Sequence, residues 1–358
     1  MERKKTVFVS GGGTGGHYYP AMAVSQKLQK ENYNVIYIGT KNGIEAKKDF
    51  PYGEKILFEM GGLRGKSLIQ TLKNFKNLIK STLKTIKLMK KEKPQLSICF
   101  GGYTSVPLGI SSFLLNVPLY IHEQNSIPSF TNRILGKFAK KIFITFPESK
   151  KYFKNSKIVE SGLPIRESLK ENLNLTKEEA RKKLEIDKDK FVVLVFGGSQ
   201  GARKLGELTV SLAKDLKEIY FILLTGKNFK TEEKLENLKT VEYTEEMHIF
   251  YKAADLVISR AGAGTVYELM AFNKYSIYVP FPYAASNHQY WNVKWLKDLG
   301  LSDLIEEKDL NQEIVKNKIL EIFKNKQKLK EINLKSLVKL NSEKIILDTI
   351  KEQRKISV

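Results

Sequence analysis

The chain is 358 residues long and has a single cysteine, Cys99, so no disulfide can form within it. Only the five uncharged residues Thr6 to Ser10 separate the basic start Met-Glu-Arg-Lys-Lys from Gly11, too few for a signal peptide. No apolar run nears the ~18 residues that a spanning helix needs, and the longest, such as Phe191 to Phe196, are strand-sized. A reducing, cytoplasmic setting is the expectation. Acidic residues are also scarce, 39 against 61 lysines and arginines, a net charge of +22. The single Asp-x-Asp spacing, Asp187-Lys188-Asp189, sits among lysines and makes a poor cation site, so no metal and no cofactor are expected. The lysines are scattered, with no RNA-binding aromatic motif, zinc-finger spacing or recognition-helix signature beside them. Nucleic acid is therefore not the expected partner, although the charge alone would allow one.

With 42% hydrophobic and 28% charged residues the chain can build real cores, and its length favours two domains. Short β-branched or aromatic runs alternate with amphipathic stretches, the pattern of parallel sheets wrapped by helices. Strands are expected at Thr6 to Ser10, Val35 to Ile38, Ile56 to Phe58, Leu96 to Phe100, Leu119 to His122 and Ile142 to Thr145. A second series follows at Phe191 to Phe196, Tyr220 to Leu224, Asp255 to Ser259 and Ser276 to Val279. Gly162 and Pro164 suit a hinge, which places the domains at 1–163 and 164–340, with a last helix of about 341–358 able to pack back on the first.

Each series opens with a strand that runs into a glycine-rich turn. The first is Gly11-Gly12-Gly13-Thr14-Gly15-Gly16-His17, ahead of a helix entered at Pro20; the second is Gly197-Gly198-Ser199-Gln200-Gly201-Ala202. A third, Arg260-Ala261-Gly262-Ala263-Gly264-Thr265-Val266-Tyr267-Glu268, again opens a helix, whose partial positive end can neutralise a departing phosphate, while Glu268 could accept ribose hydroxyls. A dinucleotide site would want an acidic residue at the end of the second strand, where Ile38-Gly39-Thr40 stands instead, so a nicotinamide enzyme is disfavoured. Two polar clusters, Gly101-Gly102-Tyr103-Thr104-Ser105 and His122-Glu123-Gln124-Asn125, share the carboxyl ends of strands with Thr14 and His17, where open α/β sheets bind ligands. His122 alone reads as a hydrogen-bonded structural histidine, and His248 as a surface feature.

Together with Gly61-Gly62-Leu63-Arg64-Gly65-Lys66, Leu163-Pro164-Ile165-Arg166 and Gln289-Tyr290-Trp291-Asn292, these segments give the chain a resemblance to the MurG family, bacterial transferases that convert lipid I into lipid II. The resemblance implies an α/β GT-B fold of two Rossmann-like domains facing a cleft. It also implies inverting transfer of N-acetylglucosamine from UDP-GlcNAc to the 4-hydroxyl of the muramoyl sugar of undecaprenyl-diphospho-muramoylpentapeptide. Carried onto this sequence, donor binding falls to Thr14, Gly15, Gly16, Asn125, Arg166, Ser199, Thr244, Arg260, Ala263, Gly264, Thr265, Val266, Glu268 and Gln289. Acceptor binding falls to Gly102, Tyr103, Thr104 and His122. His17 is the first candidate for the base and Glu123 its rival, since a base must stand near the attacking hydroxyl. His288 and Gly206 depart from the family pattern, which often has glutamine and asparagine there. A transferase with another lipid acceptor would show similar donor loops.

Between Lys66 and Lys93, Leu68, Leu72, Phe75, Ile79, Leu83 and Ile86 recur every three or four residues, flanked by lysines that include Lys73, Lys76 and Lys80. Such a helix can lie on an anionic membrane surface or face the core. The first alternative would put the protein on the cytoplasmic face of the cell membrane as a peripheral enzyme.

Overall fold

Strand Thr6–Ser10 is buried at all five positions, and burial on both faces requires helices on both sides of the sheet. In the computed structural model, which describes residues 5–62, 67–198 and 201–355, two such sheets form. The chain divides into one unit of Met1–Glu167 with Lys339–Val358 and another of Ser168–Val338.

The first unit holds β1 (Thr6–Ser10), β2 (Asn34–Thr40), β3 (Glu54–Phe58), β4 (Leu96–Cys99), β5 (Leu119–Glu123), β6 (Lys141–Ile144) and β7 (Ile158–Glu160). Their order is β3-β2-β1-β4-β5-β6-β7, all parallel, with Val9 level with Tyr37 on one side and Ile98 on the other. The order reverses direction at β1 and β4, and a crevice opens at the carboxyl ends of strands where that happens. Helices α1 (Gly15–Lys30), α2 (Leu68–Glu92), α3 (Val106–Leu114) and α4 (Phe130–Leu135) belong to this unit, and α5 (Glu167–Glu171) opens the next. Helix α1 begins five residues before Pro20, not at it. Thr14 is extended (φ −131°, ψ 161°) and starts the helix, so Pro20 lies inside, at the cost of one hydrogen bond near the helix entry.

The second unit holds α6 (Lys177–Leu184), β8 (Phe191–Phe196), α7 (Arg203–Asp215), β9 (Ile219–Leu224), β10 (Leu238–Val241), α8 (Met247–Ala253) and β11 (Leu256–Ser259). It continues with α9 (Ala263–Ala271), β12 (Ser276–Tyr278), α10 (His288–Asp298), β13 (Asp303–Leu304) and α11 (Gln312–Lys324). Its parallel sheet runs β10-β9-β8-β11-β12-β13, with the reversal at β8 and β11. The chain then returns, and α12 (Ser342–Lys355) packs on α1. Ile346, Leu347 and Ile350 complete a core with Tyr18, Val24 and Leu28.

Three strands escaped the sequence reading: β7, β10 and β13. They are two to four residues long and mostly half-buried at the outer edges of the sheets, so they lack the continuous apolar run of a central strand. His248 is also corrected: it is buried on α8. The Cys99 thiol is buried, and burial pushes its pKa up to about 12, which leaves it inert at neutral pH.

Asp255, just before β11, ties α6 to the second sheet. It accepts from Val192 N at 2.8 Å and from Arg181 Nη2 at 2.6 Å, and it pairs with Lys177. Arg181, with a side chain 2% exposed, also donates to the Ala253 and Lys190 carbonyls. Asp255→Ala strands that guanidinium without its carboxylate. The expected loss is about 3–5 kcal/mol, read as a lower urea midpoint; an unchanged midpoint would refute the assignment.

Candidate functional site

In the first unit β1 ends at Ser10, and the chain turns through Gly11–Gly13 before α1. Two buried side chains pin that turn: Thr104 Oγ1 accepts from Gly12 N at 2.9 Å, and Glu45 Oε2 accepts from Gly13 N at 2.9 Å. Glu45 Oε1 also accepts from Thr40 N at the end of β2. A Cβ at Gly12 would stand 2.2 Å from Glu45 Oε1, so glycine is required there for packing. Thr14 and Gly16 are exposed and Gly15 half-exposed at the start of α1. Tyr103 is half-buried beside Gly13, and burial raises its pKa.

At the end of β5, His122, Glu123 and Gln124 are all buried. Glu123 Oε1 accepts from Asn125 N at 2.9 Å, and Oε2 accepts from Asn132 Nδ2 at 2.8 Å and Ser129 N at 3.1 Å. Burial outweighs these donors and raises its pKa. The carboxylate thus shapes the loop into α4, and its enclosure denies it the access a base needs. His122 Nε2 lies 2.9 Å from the Gly162 carbonyl, the ring stacks on Phe100 at 5.5 Å, and burial pulls its pKa down to about 4. Neither His122 nor Thr104 is accessible to an acceptor, which corrects both assignments. The half-buried His17 instead reaches this cluster: its Nδ1 lies 3.0 Å from Gln124 Oε1. The Arg166 guanidinium stacks over Tyr19 at 5.0 Å, and Asn125 is half-buried.

In the second unit the junction of β11 and α9 is open. Gly262 starts the helix in extended conformation, and a Cβ at Gly262 or Gly264 would meet nothing within 4 Å. Gln289 Oε1 staples the turn by accepting from Ala261 N at 3.1 Å and Phe281 N at 2.9 Å, while Asn292 Nδ2 donates to Ala261 O. Ala263, Gly264 and Thr265 form the first turn of α9. Val266 is a correction: its side chain is buried and its N–H bonds to Gly262 O. On α9 the Glu268 carboxylate is oriented by the Tyr251 hydroxyl, which donates to Oε2 at 2.8 Å. Arg260 spans the Val279 and Pro280 carbonyls and pairs with Glu307. Thr244 is half-buried and accepts from Glu246 N. At Gly206 a Cβ would lie 2.5 Å from the Phe229 ring, which fills the space an asparagine would take. His288 opens α10, with Nδ1 2.9 Å from Ala285 O. Ser199 lies outside the described residues. Among the described residues, no three His, Cys, Asp or Glu side chains converge as a metal centre would require.

Sequence reasoning missed Glu45 and gave Gln124 no role. Glu45 follows the turn after β2 with no motif to flag it, and Gln124 finds its partner 107 positions away.

Residues 7–144 match the glycosyltransferase family 28 N-terminal domain and residues 192–350 its C-terminal domain. A protein of Sulfurihydrogenibium sp. is 52% identical over 96% of this chain and 95% of its own length. It is named a UDP-N-acetylglucosamine–N-acetylmuramyl-(pentapeptide) pyrophosphoryl-undecaprenol N-acetylglucosamine transferase. A protein of the same name from Aquifex aeolicus is 41% identical over 91% of this chain and 94% of its own. Among solved structures, MurG of Acinetobacter baumannii superposes with a TM-score of 0.77 at 28% identity, covering 98% of this chain and all of that one.

With a pKa of about 4 instead of the ordinary 6.5, His122 refuses a proton that the unfolded chain takes up between those values. Stability therefore falls as pH drops from about 6.5 to about 4, by up to about 3 kcal/mol. Glu123, whose raised pKa keeps its proton on the native state, acts in the opposite direction and is common to both proteins in a comparison with His122→Gln. The expected result is a shallower acid loss in the variant's urea unfolding curves; parallel pH profiles would refute the buried neutral imidazole.

Proposed function

The chain belongs to glycosyltransferase family 28 and is an N-acetylglucosaminyltransferase, and from that premise we propose how its residues divide the conversion of lipid I into lipid II. The muramoyl 4-hydroxyl attacks the anomeric carbon of UDP-GlcNAc. The new C–O bond forms as the bond to the diphosphate breaks, the electron pair leaves with UDP, and His17 Nε2 takes the hydroxyl proton. Imidazole titrates near neutrality and suits that task. The start of α9, with Ala263, Gly264 and Thr265, receives the diphosphate, its partial positive charge taking the place of a metal ion. Glu268 takes the ribose hydroxyls, Thr244 meets uracil through its backbone, and Arg260, Gln289 and Asn292 brace that turn from behind. In the first unit, Thr14, Gly15 and Gly16, with Gly102, Tyr103, Asn125 and Arg166, take part in binding the sugars.

One observation supports the donor assignment above the others: the bare entry to α9, where two glycines stand over open space. Gly264→Ala has room in the fold and favours the helix by roughly 0.5–1 kcal/mol. It also places a methyl where the diphosphate would approach. The expected result is an unchanged or raised melting temperature with a KM for UDP-GlcNAc about tenfold higher, a penalty of about 1.4 kcal/mol. UDP release from UDP-GlcNAc in the presence of a lipid I analogue, in EDTA, reads it; an unaltered KM, or no UDP release by the unmutated protein, would remove the assignment.

Helix α2 supports a second reading, of contact with the membrane. Its buried residues are Asn74, Ser81, Thr85 and Met89, and the helix packs on α3. Leu68, Ile69, Leu72 and Leu83 are 62–81% exposed, Phe75 53% and Ile79 48%. The apolar stripe thus points outward, with Lys73, Lys76, Lys80 and Lys84 exposed beside it. Exposed Ile110, Phe113, Phe130, Ile134 and Phe138 on and next to the adjoining α3 and α4 enlarge the apolar area. No helix among the described residues is long and apolar enough to cross a membrane. Each side chain that enters the lipid adds roughly 1.5–3 kcal/mol and each lysine near anionic headgroups about 1 kcal/mol. This agrees with a peripheral place on the cytoplasmic leaflet, where a lipid-linked acceptor would be met, and leaves the net charge of +22 without need of nucleic acid. Vesicle sedimentation should show binding to anionic lipid, lost in the triple variant Leu72→Gln, Phe75→Gln, Ile79→Gln with little change in stability. Equal absence of binding to neutral and anionic vesicles would defeat this reading.

A further inference from the structure

Two backbone carbonyls, which can only accept hydrogen bonds, fix the protons along a chain of three side chains. Gly162 O lies 2.9 Å from His122 Nε2, so that nitrogen carries the proton. The ring is fully buried and neutral at physiological pH, which leaves the lone pair on Nδ1. His122 O lies 3.2 Å from the terminal nitrogen of Gln124. Turning the amide over would set two oxygens against each other there, so the amide must donate on that side. Its second hydrogen then meets the lone pair of His122 Nδ1, also at 3.2 Å. The amide oxygen is left facing His17 Nδ1 at 3.0 Å, and an oxygen without a hydrogen can only accept. His17 Nδ1 is therefore the N–H, and neutral His17 holds its lone pair on Nε2.

The surroundings allow no easy alternative. Gln124 is buried, Asn132 Nδ2 donates to the same His122 carbonyl, and the hydroxyls of Ser161 and Ser342 converge on Gly162 O. The Nε2 edge of His17 lies against Gly102, where an added Cβ would stand 3.2 Å from Cδ2 and 3.5 Å from Nε2. Gly102 has φ +74°, a conformation that favours glycine, so a side chain at 102 would be both strained and crowded against that edge.

We propose that Gln124 and His122 are positioning residues that select the Nδ1-protonated tautomer of His17, so that Nε2 meets the attacking hydroxyl as a lone pair. The proposal rests on His17 as the base. In the step itself the hydroxyl proton moves to Nε2 while the oxygen bonds to the anomeric carbon and the pair leaves with UDP. The resulting imidazolium keeps its Nδ1–H on Gln124, so no member of the chain has to turn. Without Gln124 the proton would favour Nε2, the tautomer that imidazole side chains prefer in water, and the base would face the substrate already protonated.

The chain contains four histidines, so nitrogen-15 spectra of the histidine-labelled full-length protein at mildly alkaline pH resolve each ring, with His17→Gln assigning one. A protonated shift for His17 Nδ1 and an unprotonated shift for Nε2 are expected. Gln124→Met should move the proton toward Nε2 and lower kcat by on the order of 10- to 100-fold, part of what a general base contributes, with KM changed less than about threefold. If the Met variant fails to fold, the wild-type spectrum still decides, because it reads the tautomer in the unmutated protein. A wild-type His17 protonated on Nε2 would overturn the proposal, as would a Gln124→Met enzyme that loses kcat with its tautomer unmoved. A moved tautomer with kcat intact would instead overturn His17 as the base and leave the tautomer assignment standing.

Discussion

The first unit is organised around the carboxylate of Glu45. It is fully buried, and a buried charge persists only where donors surround it. Those donors are backbone N–H groups at the ends of two different strands, Gly13 after β1 and Thr40 at β2. A Cβ at Gly12 or Gly43 would collide with the carboxyl oxygens, so the glycines around it are the shape of the space the carboxylate needs. The turn held this way sets the entry to α1 and with it the position of His17.

The second unit meets the same problem of a strand feeding a helix with different parts. At the β11–α9 junction the brace is neutral: Gln289 and Asn292, from α10, satisfy the turn. The helix entry in front of it is left bare. One unit spends its buried polarity on placing a titratable side chain, the other on presenting backbone. The two sheets share a topology, and the chemistry differs because the side chains behind the turns differ.

The sequence carried the outline of this well. Central strands such as β1 and β8 carry apolar runs and lead straight into glycine, and both ends and turns could be read directly. Edge strands such as β10 could not, because half-exposed residues carry no run. Within the site, proximity in space without proximity in sequence was the obstacle. Nothing near Glu45 hints at its glycine partners 32 positions earlier, and the spacing of His122 and Gln124 says nothing about Gly162. Helix α2 shows a different limit: its apolar periodicity is the same whether the stripe faces in or out. The small polar residues opposite, Ser81 and Thr85, decide it by allowing close approach to α3.

The return of α12 has a consequence in time. Ile346, Leu347 and Ile350 are part of the first unit's core, and Ser342 donates to the very carbonyl that orients His122. A ribosome making this chain releases everything the second unit needs before it releases those residues. Domains fold as units once their residues are available, so the half that is synthesised first is the half that finishes last. Until the final helix arrives, the nascent first unit exposes the apolar side of α1, and the imidazole chain behind His17 lacks one of the donors on its anchoring carbonyl.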